Sequence, residues 1–149
     1  MAAKSTHCPL CSAARRCGKY HLYVVELDYD LVKNWKFMQA NPGYKTGMDC
    51  LYVGSTSHTP VCRFAQHRMH AKKRTLGYEC TCDGKEVFHE FVRGGGHTRG
   101  SYYPGVYGLR LRPDLYFSRN PLPSQKTALA AEEKLASDFR RLGYAVWQH

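Results

Sequence analysis

The sequence contains no run of about 18 consecutive apolar residues, so it predicts no membrane-spanning helix. Its first stretch, Met1 to Tyr20, is polar and basic and lacks the apolar centre of a secretory signal peptide. No internal repeat or long low-complexity tract is present. These absences argue against a membrane protein. They favour an intracellular location, which would be the cytoplasm or nucleoid in a bacterium and the nucleus in a eukaryote.

Acidic residues are scarce relative to basic ones. Asp and Glu total 12, Lys and Arg total 22, and the formal net charge is +10. Net charge informs about partners rather than about fold. A basic domain of this size suits a polyanion, so we expect nucleic acid as the partner. The simpler interpretation is a basic protein whose charge serves only solubility.

The chain also lacks the cysteine pattern of a disulfide framework, since its seven cysteines are odd in number and no signal peptide is predicted. Cys8 and Cys11 have the spacing of zinc ligands, and Cys17 lies close by. A second complete pair is missing, because Cys80 and Cys82 are unusually tightly spaced. Two interpretations follow: a structural zinc ion held by Cys8, Cys11 and Cys17, or reduced thiols without a metal.

A length of 149 residues and a hydrophobic fraction of 43% predict one domain with a single core. We divide the chain into a basic, cysteine-containing arm, residues 1–18, and a domain, residues 19–149, with insertions at about 28–49 and 72–100. Strands and helices are mixed rather than strictly alternating, which predicts the α+β class. Runs rich in β-branched and aromatic residues predict strands at Tyr20–Leu27, Cys50–Gly54, Glu86–Val92, Gly105–Leu111 and Tyr144–Trp147.

Two helices are predicted from their ends. The first has Thr59 as its candidate N-cap and Pro60 at its first position, and it continues to about His70. The second spans Ser124 to Leu142, with Ser124 as the cap and Gly143 as the residue that ends it.

The second helix contains a conflict with its own pattern. Glu132 lies near the middle of an otherwise apolar face, whereas Glu133 points away with the solvated residues. A buried acid costs stability unless it is paired or holds a metal, and such local rule-breaking is typical of functional sites. A metal ligand and a partly buried Glu paired with an arginine both fit the pattern. The apolar members of that face are Ala128, Leu135, Phe139 and Leu142.

The order of these motifs resembles the GIY-YIG nuclease family. The strand motif His21–Tyr23 is followed by Leu51–Thr56, whose Tyr-Val-Gly-Ser-Thr is similar to the second motif of the family. Arg63–His67 (Arg-Phe-Ala-Gln-His) resembles its first helix, and Glu132 lies on a later one. The C-terminal run Ala128–Gln148 is similar to the ending of small stand-alone members. In the first motif, His and Leu stand where the family has Gly and Ile.

The resemblance implies a fold and an activity. The implied fold is a small, three-stranded, mostly antiparallel sheet flanked by helices. The implied activity is hydrolysis of phosphodiester bonds in nucleic acid, with DNA favoured, by an endonuclease of DNA repair, restriction or mobile elements. It implies one divalent metal, Mg²⁺ or Mn²⁺, with Glu132 as the ligand, since magnesium commonly takes one or two carboxylates and completes its shell with water and phosphate.

The resemblance also implies roles for individual residues. Arg63 would bind phosphate oxygens through its planar guanidinium. Tyr52 matches the candidate general base, which requires its pKa to fall from about 10 towards 7, and Arg63 and a metal-bound water network would act in that direction. Tyr23 would hydrogen-bond to the water or phosphate. His67 is a competing base, because imidazoles titrate near 6.5. Both tyrosines could instead be core aromatics with satisfied hydroxyls.

Five further residues are candidates for contact with nucleic acid. Gly54 would let the chain turn sharply and approach the substrate, because it has no Cβ. Phosphate contacts are predicted for four basic residues, each of which could equally be a solvated charge: Lys72, Lys73, Arg74 and Arg99.

A different class of function stays open beside the enzyme. The altered first motif, with His21 and Leu22, favours a module of the same fold with weak or no catalysis that binds nucleic acid or a protein. A third interpretation, a zinc-ribbon interaction protein, would require the cysteines of the arm to hold zinc.

Overall fold

A computed structural model describes residues 20–57, 60, 63–64, 67, 78–82, 85–89 and 102–148. Its strands are β1 (His21–Leu27), β2 (Cys50–Thr56), β3 (Tyr78–Cys82), β4 (Lys85–His89), β5 (Gly108–Leu111) and β6 (Ala145–Gln148). Its helices are α1 (Trp35–Gln39), α2 (Tyr102–Tyr107) and α3 (Gln125–Leu142). The predicted arm, with Cys8, Cys11 and Cys17, and the predicted phosphate contacts Lys72, Lys73, Arg74 and Arg99 lie outside the described residues.

A four-stranded mixed sheet has the strand order β5-β1-β2-β6. Strand β1 pairs antiparallel with β2 and β5, whereas β6 pairs parallel with β2. The predicted α+β class is therefore confirmed, but the prediction of three strands is wrong. The fourth strand was expected from its sequence. Its place was not, because parallel pairing beside β2 depends on how α3 returns the chain to the sheet.

Other elements depart from the sequence predictions in their bounds. Strand β2 extends two residues past Gly54 to Thr56. Only the second part of the predicted strand Gly105–Leu111 is extended, because the chain before Gly108 forms α2. The predicted strand at Glu86–Val92 corresponds to β4, which pairs with β3 in a separate two-stranded sheet. Strand β3 was not predicted.

Both faces of the four-stranded sheet are covered. Four successive residues of β1, Leu22 to Val25, are at most 1% exposed, so side chains on both sides of the strand lie in the core. The same holds for Cys50 to Val53 in β2. This double burial explains why both strands read as nearly continuous apolar runs. Any polar group placed there has to find its partner inside the protein.

Helix α3 begins and ends as its sequence predicts. The Ser124 hydroxyl accepts a hydrogen bond from the Thr127 N–H at 3.1 Å, and Gly143 adopts the left-handed conformation with φ 103°. The predicted core face is buried except for Leu142, which is 60% exposed in the last turn. Within the described residues, no helix combines the length and the apolar character needed to cross a membrane.

Two asparagine side chains form hydrogen bonds with strand backbone groups on the side where no neighbouring strand is paired. Asn41 accepts from the Val146 N–H at 2.7 Å and donates to the carbonyls of Val146 and Phe37, which joins α1 to the free edge of β6. Asn120 accepts from the Leu22 N–H at 2.7 Å and donates to the Leu22 carbonyl at 2.8 Å. The second pair holds β1 beyond the end of β5, directly beside Tyr23.

Candidate active site

The register between β1 and β2 places Tyr23 and Tyr52 on one face of the sheet. Tyr23 lies opposite Gly54, and Val25 lies opposite Tyr52, so the two tyrosines are diagonal neighbours. Their ring centroids are 6.0 Å apart. Each ring is 1% exposed. Two residues that are far apart in the sequence are thus brought together by strand pairing.

The third member of this aromatic group comes from the helical segment after β2. The described residues Pro60, Arg63, Phe64 and His67 are all helical, in agreement with the predicted helix. His67 is fully buried, and its Nε2 is 2.8 Å from the Tyr23 hydroxyl. Its ring meets the edge of Tyr52 with centroids 5.6 Å apart. His67 therefore contacts both tyrosines.

Gly54 has a different structural role from the one that the sequence predicts. It is a buried residue inside β2 rather than part of a turn. A Cβ at this position would lie 2.7 Å from Cζ and 2.7 Å from the hydroxyl of Tyr23. The missing side chain therefore provides the space that the Tyr23 ring occupies. The predicted sharp turn towards the substrate at Gly54 is wrong.

Burial controls the acidity of both tyrosines. Desolvation raises the pKa of Tyr23 to about 12, although the charge of Arg63 and hydrogen bonds from Tyr52 and Arg63 act to lower it. The pKa of Tyr52 is also raised, first by desolvation and then by Tyr23, against the opposing charge of Arg63. Arg63 acts in the predicted direction. Desolvation outweighs the guanidinium, so burial and Arg63 together leave the pKa of Tyr52 raised.

Glu132 is the acidic member of the group. It is 4% exposed on α3, and its Oε1 accepts a hydrogen bond from the Ser55 hydroxyl at 3.0 Å. Burial raises the pKa of this carboxyl, while the Ser55 hydrogen bond lowers it. Its charge raises the pKa of both Tyr23 and Tyr52, so all three groups share one electrostatic environment. Among the described residues, no arginine or lysine forms an ion pair with Glu132.

Glu132 is a single buried carboxylate, so it could hold a divalent ion only if water and substrate supplied most of the other ligands. In the described part of the chain, no three His, Cys, Asp or Glu side chains form a group able to hold a metal ion. Mg²⁺ does not need such a group, because one or two carboxylates with water and phosphate oxygens complete its shell. The Ser55 hydroxyl uses one carboxylate oxygen of Glu132 and orients the other.

Of the five residues that the sequence predicted to be catalytic, the structure brings three into direct contact: Tyr23, Tyr52 and His67. Arg63 and Glu132 act on the pKa values of both tyrosines through their charges. Sequence reasoning missed Ser55. The Gly54-Ser55-Thr56 segment indicated a chain break, and its serine gave no separate signal. A hydroxyl next to a motif glycine, on a strand that faces an acid-bearing helix, is the signal that could have identified it.

Comparison of this chain with family models, with curated proteins and with solved structures finds no match. The residues of the described part of the chain and their geometry are therefore the basis for assigning a function.

Proposed function

We propose that this chain is a divalent-metal-dependent endonuclease of the GIY-YIG type that hydrolyses phosphodiester bonds in nucleic acid, with DNA as the favoured substrate. The observation that carries the proposal is the meeting of Tyr23, Tyr52 and His67 on one sheet face, within the electrostatic reach of Arg63 and Glu132. These five side chains come from two strands and two helical segments.

Each side chain has a task in phosphodiester hydrolysis. Arg63 supplies a permanent, planar positive charge that can bind two phosphate oxygens at once. His67 can accept the proton of the attacking water, and its hydrogen bond with Tyr23 fixes the direction of its ring. Tyr52 packs against His67 and narrows the space in which the imidazole can move.

Glu132 would hold the metal, and Ser55 would hold Glu132 in place. When bound, Mg²⁺ or Mn²⁺ supplies Lewis-acid stabilisation of the charge on the phosphate and on the leaving oxygen. A buried acid that forms no ion pair within the described residues supports this role, because burial disfavours the anion unless a cation balances its charge. The formal net charge of +10 supports a polyanionic substrate.

The proposal is tested by incubating labelled DNA and RNA substrates with the full chain and Mg²⁺ or Mn²⁺. We expect metal-dependent cleavage by the native chain and none by Glu132→Ala. Glu133→Ala is the matched control, because Glu133 is the adjacent acid on the same helix but is exposed. Cleavage that survives in Glu132→Ala, or is lost equally in Glu133→Ala, would overturn the assignment of the metal ligand.

The burial of the two tyrosines favours a second candidate function. Side chains that are 1% exposed are poorly placed to meet water or phosphate, which fits a binding module that keeps the fold without the chemistry. Such a module would bind nucleic acid with strong salt dependence, and Glu132→Ala would bind as tightly as the native chain. Salt-sensitive binding without cleavage on any substrate or metal would decide for this candidate.

A further inference from the structure

A groove with basic and aromatic walls lies apart from the five candidate catalytic residues. Its volume is about 710 Å³, which falls within the range of about 300–1,000 Å³ usual for ligand sites. The lining of this aromatic groove includes Lys33, Trp35, Lys36, Tyr102, Tyr103 and Trp147.

The groove presents large aromatic rings to solvent. Trp35 is 75% exposed at the start of α1, and Tyr102 is 58% exposed at the start of α2. Tyr102 contacts Tyr103 with ring centroids 5.3 Å apart, and Tyr103 packs on Trp147 with ring centroids 4.7 Å apart. Two exposed rings in a groove that is also lined by packed aromatic side chains offer faces on which flat ligands can stack.

Lysines flank the exposed tryptophan on both sides. Lys33 ends the short 3-10 helix before α1, and Lys36 follows Trp35 in the chain. In the described part of the structure, neither ammonium group forms an ion pair with a carboxylate. The groove therefore combines unpaired positive charge with stacking surfaces, which is the chemistry that single-stranded nucleic acid requires.

The sheet connects this groove to the candidate active site. Trp147 pairs with Tyr52 in the parallel register of β6 and β2, so the two side chains leave the sheet on the same face. Adjacent strands are about 4.8 Å apart. Trp147, which lines the groove, is thus the neighbour of Tyr52 on the next strand of the sheet.

We propose that the aromatic groove binds a single-stranded segment of DNA, whose bases stack on Trp35 and Tyr102 and whose phosphates contact Lys33 and Lys36. This inference rests on the proposed function, because it names the form of substrate that the nuclease would hold. Duplex DNA cannot use the groove in the same way, since its base faces are already stacked on each other.

Binding is measured without divalent metal, by fluorescence anisotropy with a labelled oligothymidylate of about 12 nucleotides. Trp35→Ala and Tyr102→Ala are each expected to weaken binding roughly 5- to 150-fold, the loss of one stacked base. Trp35→Phe is expected to restore much of the affinity, because it keeps a ring. Phe117→Ala is the matched control, since Phe117 is an aromatic residue with 72% exposure outside the groove.

The lysines are tested through the salt dependence of the same binding reaction. Each phosphate contact contributes about 0.7 to the slope of log affinity against log salt concentration for a single strand, so Lys33→Ala/Lys36→Ala should lower the slope by about 1.4. Lys126→Ala is the charge control, because Lys126 is exposed on α3 and does not line the groove. A slope that falls equally in Lys126→Ala would overturn the assignment of the phosphate contacts.

The outcomes separate this inference from the proposed function. Binding that depends on Trp35 and Tyr102, in a protein that cleaves nothing, supports the groove and overturns the nuclease. Cleavage by a protein whose single-strand binding is unchanged in both alanine variants supports the nuclease and overturns the groove. Tighter binding of a duplex, or of an RNA strand of the same sequence, than of the single DNA strand also overturns the groove proposal.

Discussion

The substitution Gly54→Ala tests whether the packing of Tyr23 requires a residue without a side chain. The added Cβ would lie 2.7 Å from Cζ and 2.9 Å from Cε1 of Tyr23, well inside van der Waals contact. Tyr23 cannot simply move aside, because its hydroxyl is hydrogen-bonded to His67 and its ring is 1% exposed. The ring, the strand or the histidine has to shift.

We expect Gly54→Ala to lower the free energy of unfolding by about 1–3 kcal/mol, the usual cost of overpacking a core. Alanine also restricts the unfolded chain, which stabilises by about 0.4–1 kcal/mol, so the clash should dominate. Gly43→Ala is the matched control, because a Cβ at Gly43 meets nothing within 4 Å. Gly43→Ala should lower the free energy of unfolding by no more than about 0.5 kcal/mol. Urea unfolding followed by circular dichroism measures both.

A double-mutant cycle with Tyr23→Ala assigns the cost to this one contact. If the clash is with the Tyr23 ring, Gly54→Ala should cost much less in the Tyr23→Ala background, with a coupling energy of about 0.5–3 kcal/mol. Equal costs in the two backgrounds would refute the reasoning. So would a Gly54→Ala variant as stable as Gly43→Ala.

Four further predictions follow from the same geometry. Glu132→Gln should raise the free energy of unfolding increasingly as pH rises above 4.5, because burial raises the pKa of Glu132 and the folded state loses stability as that carboxyl ionises. Urea titrations of both proteins across pH test this. A difference in the free energy of unfolding that stays constant with pH would contradict it. Tyr23→Phe should cost about 1–3 kcal/mol in urea unfolding, because it removes a buried hydrogen bond to His67, and no measurable loss would contradict it. Asn41→Ala should cost roughly 2–4 kcal/mol, since it breaks four hydrogen bonds of a buried amide; a loss below about 1 kcal/mol would refute this. The pH dependence of cleavage should keep its shape in Tyr52→Phe, because a buried Tyr52 with a raised pKa is not expected to act as the base.

Local patterns predicted the elements that carry the candidate site. The continuous apolar runs indicated β1 and β2, and the cap residues Ser124 and Gly143 fixed the ends of α3. Helical periodicity placed Glu132 on the buried face, where the structure has it. These predictions succeed because capping, burial and periodicity depend on residues that are close together in the chain.

Long-range contacts could not be predicted in the same way. The side-chain amides of Asn41 and Asn120 bond to backbone groups 105 and 98 residues away, and nothing in the local sequence indicates those partners. The parallel position of β6 depends on the same kind of contact. The aromatic groove was missed because Trp35 lies in a stretch without regular periodicity.

The pKa of Tyr52 shows a second limit, which concerns the balance of opposing effects rather than the position of residues. The sequence indicates which charges lie nearby, and Arg63 does lower the pKa of Tyr52. The net shift depends on how completely the ring is removed from water, which is a property of the packed core. Desolvation is a larger effect than the charge of Arg63, and the sequence alone does not give its size.

The role of Tyr52 can be tested through the pH dependence of cleavage. Burial raises the pKa of Tyr52, so a reaction that needed its phenolate would accelerate about tenfold per pH unit through neutral pH and beyond. We expect no such rise, because Tyr52 is 1% exposed and packs against His67. Tyr52→Phe should therefore lower the rate and keep the shape of the profile. A rate that keeps rising in the native chain, and becomes flat in Tyr52→Phe, would make Tyr52 the base.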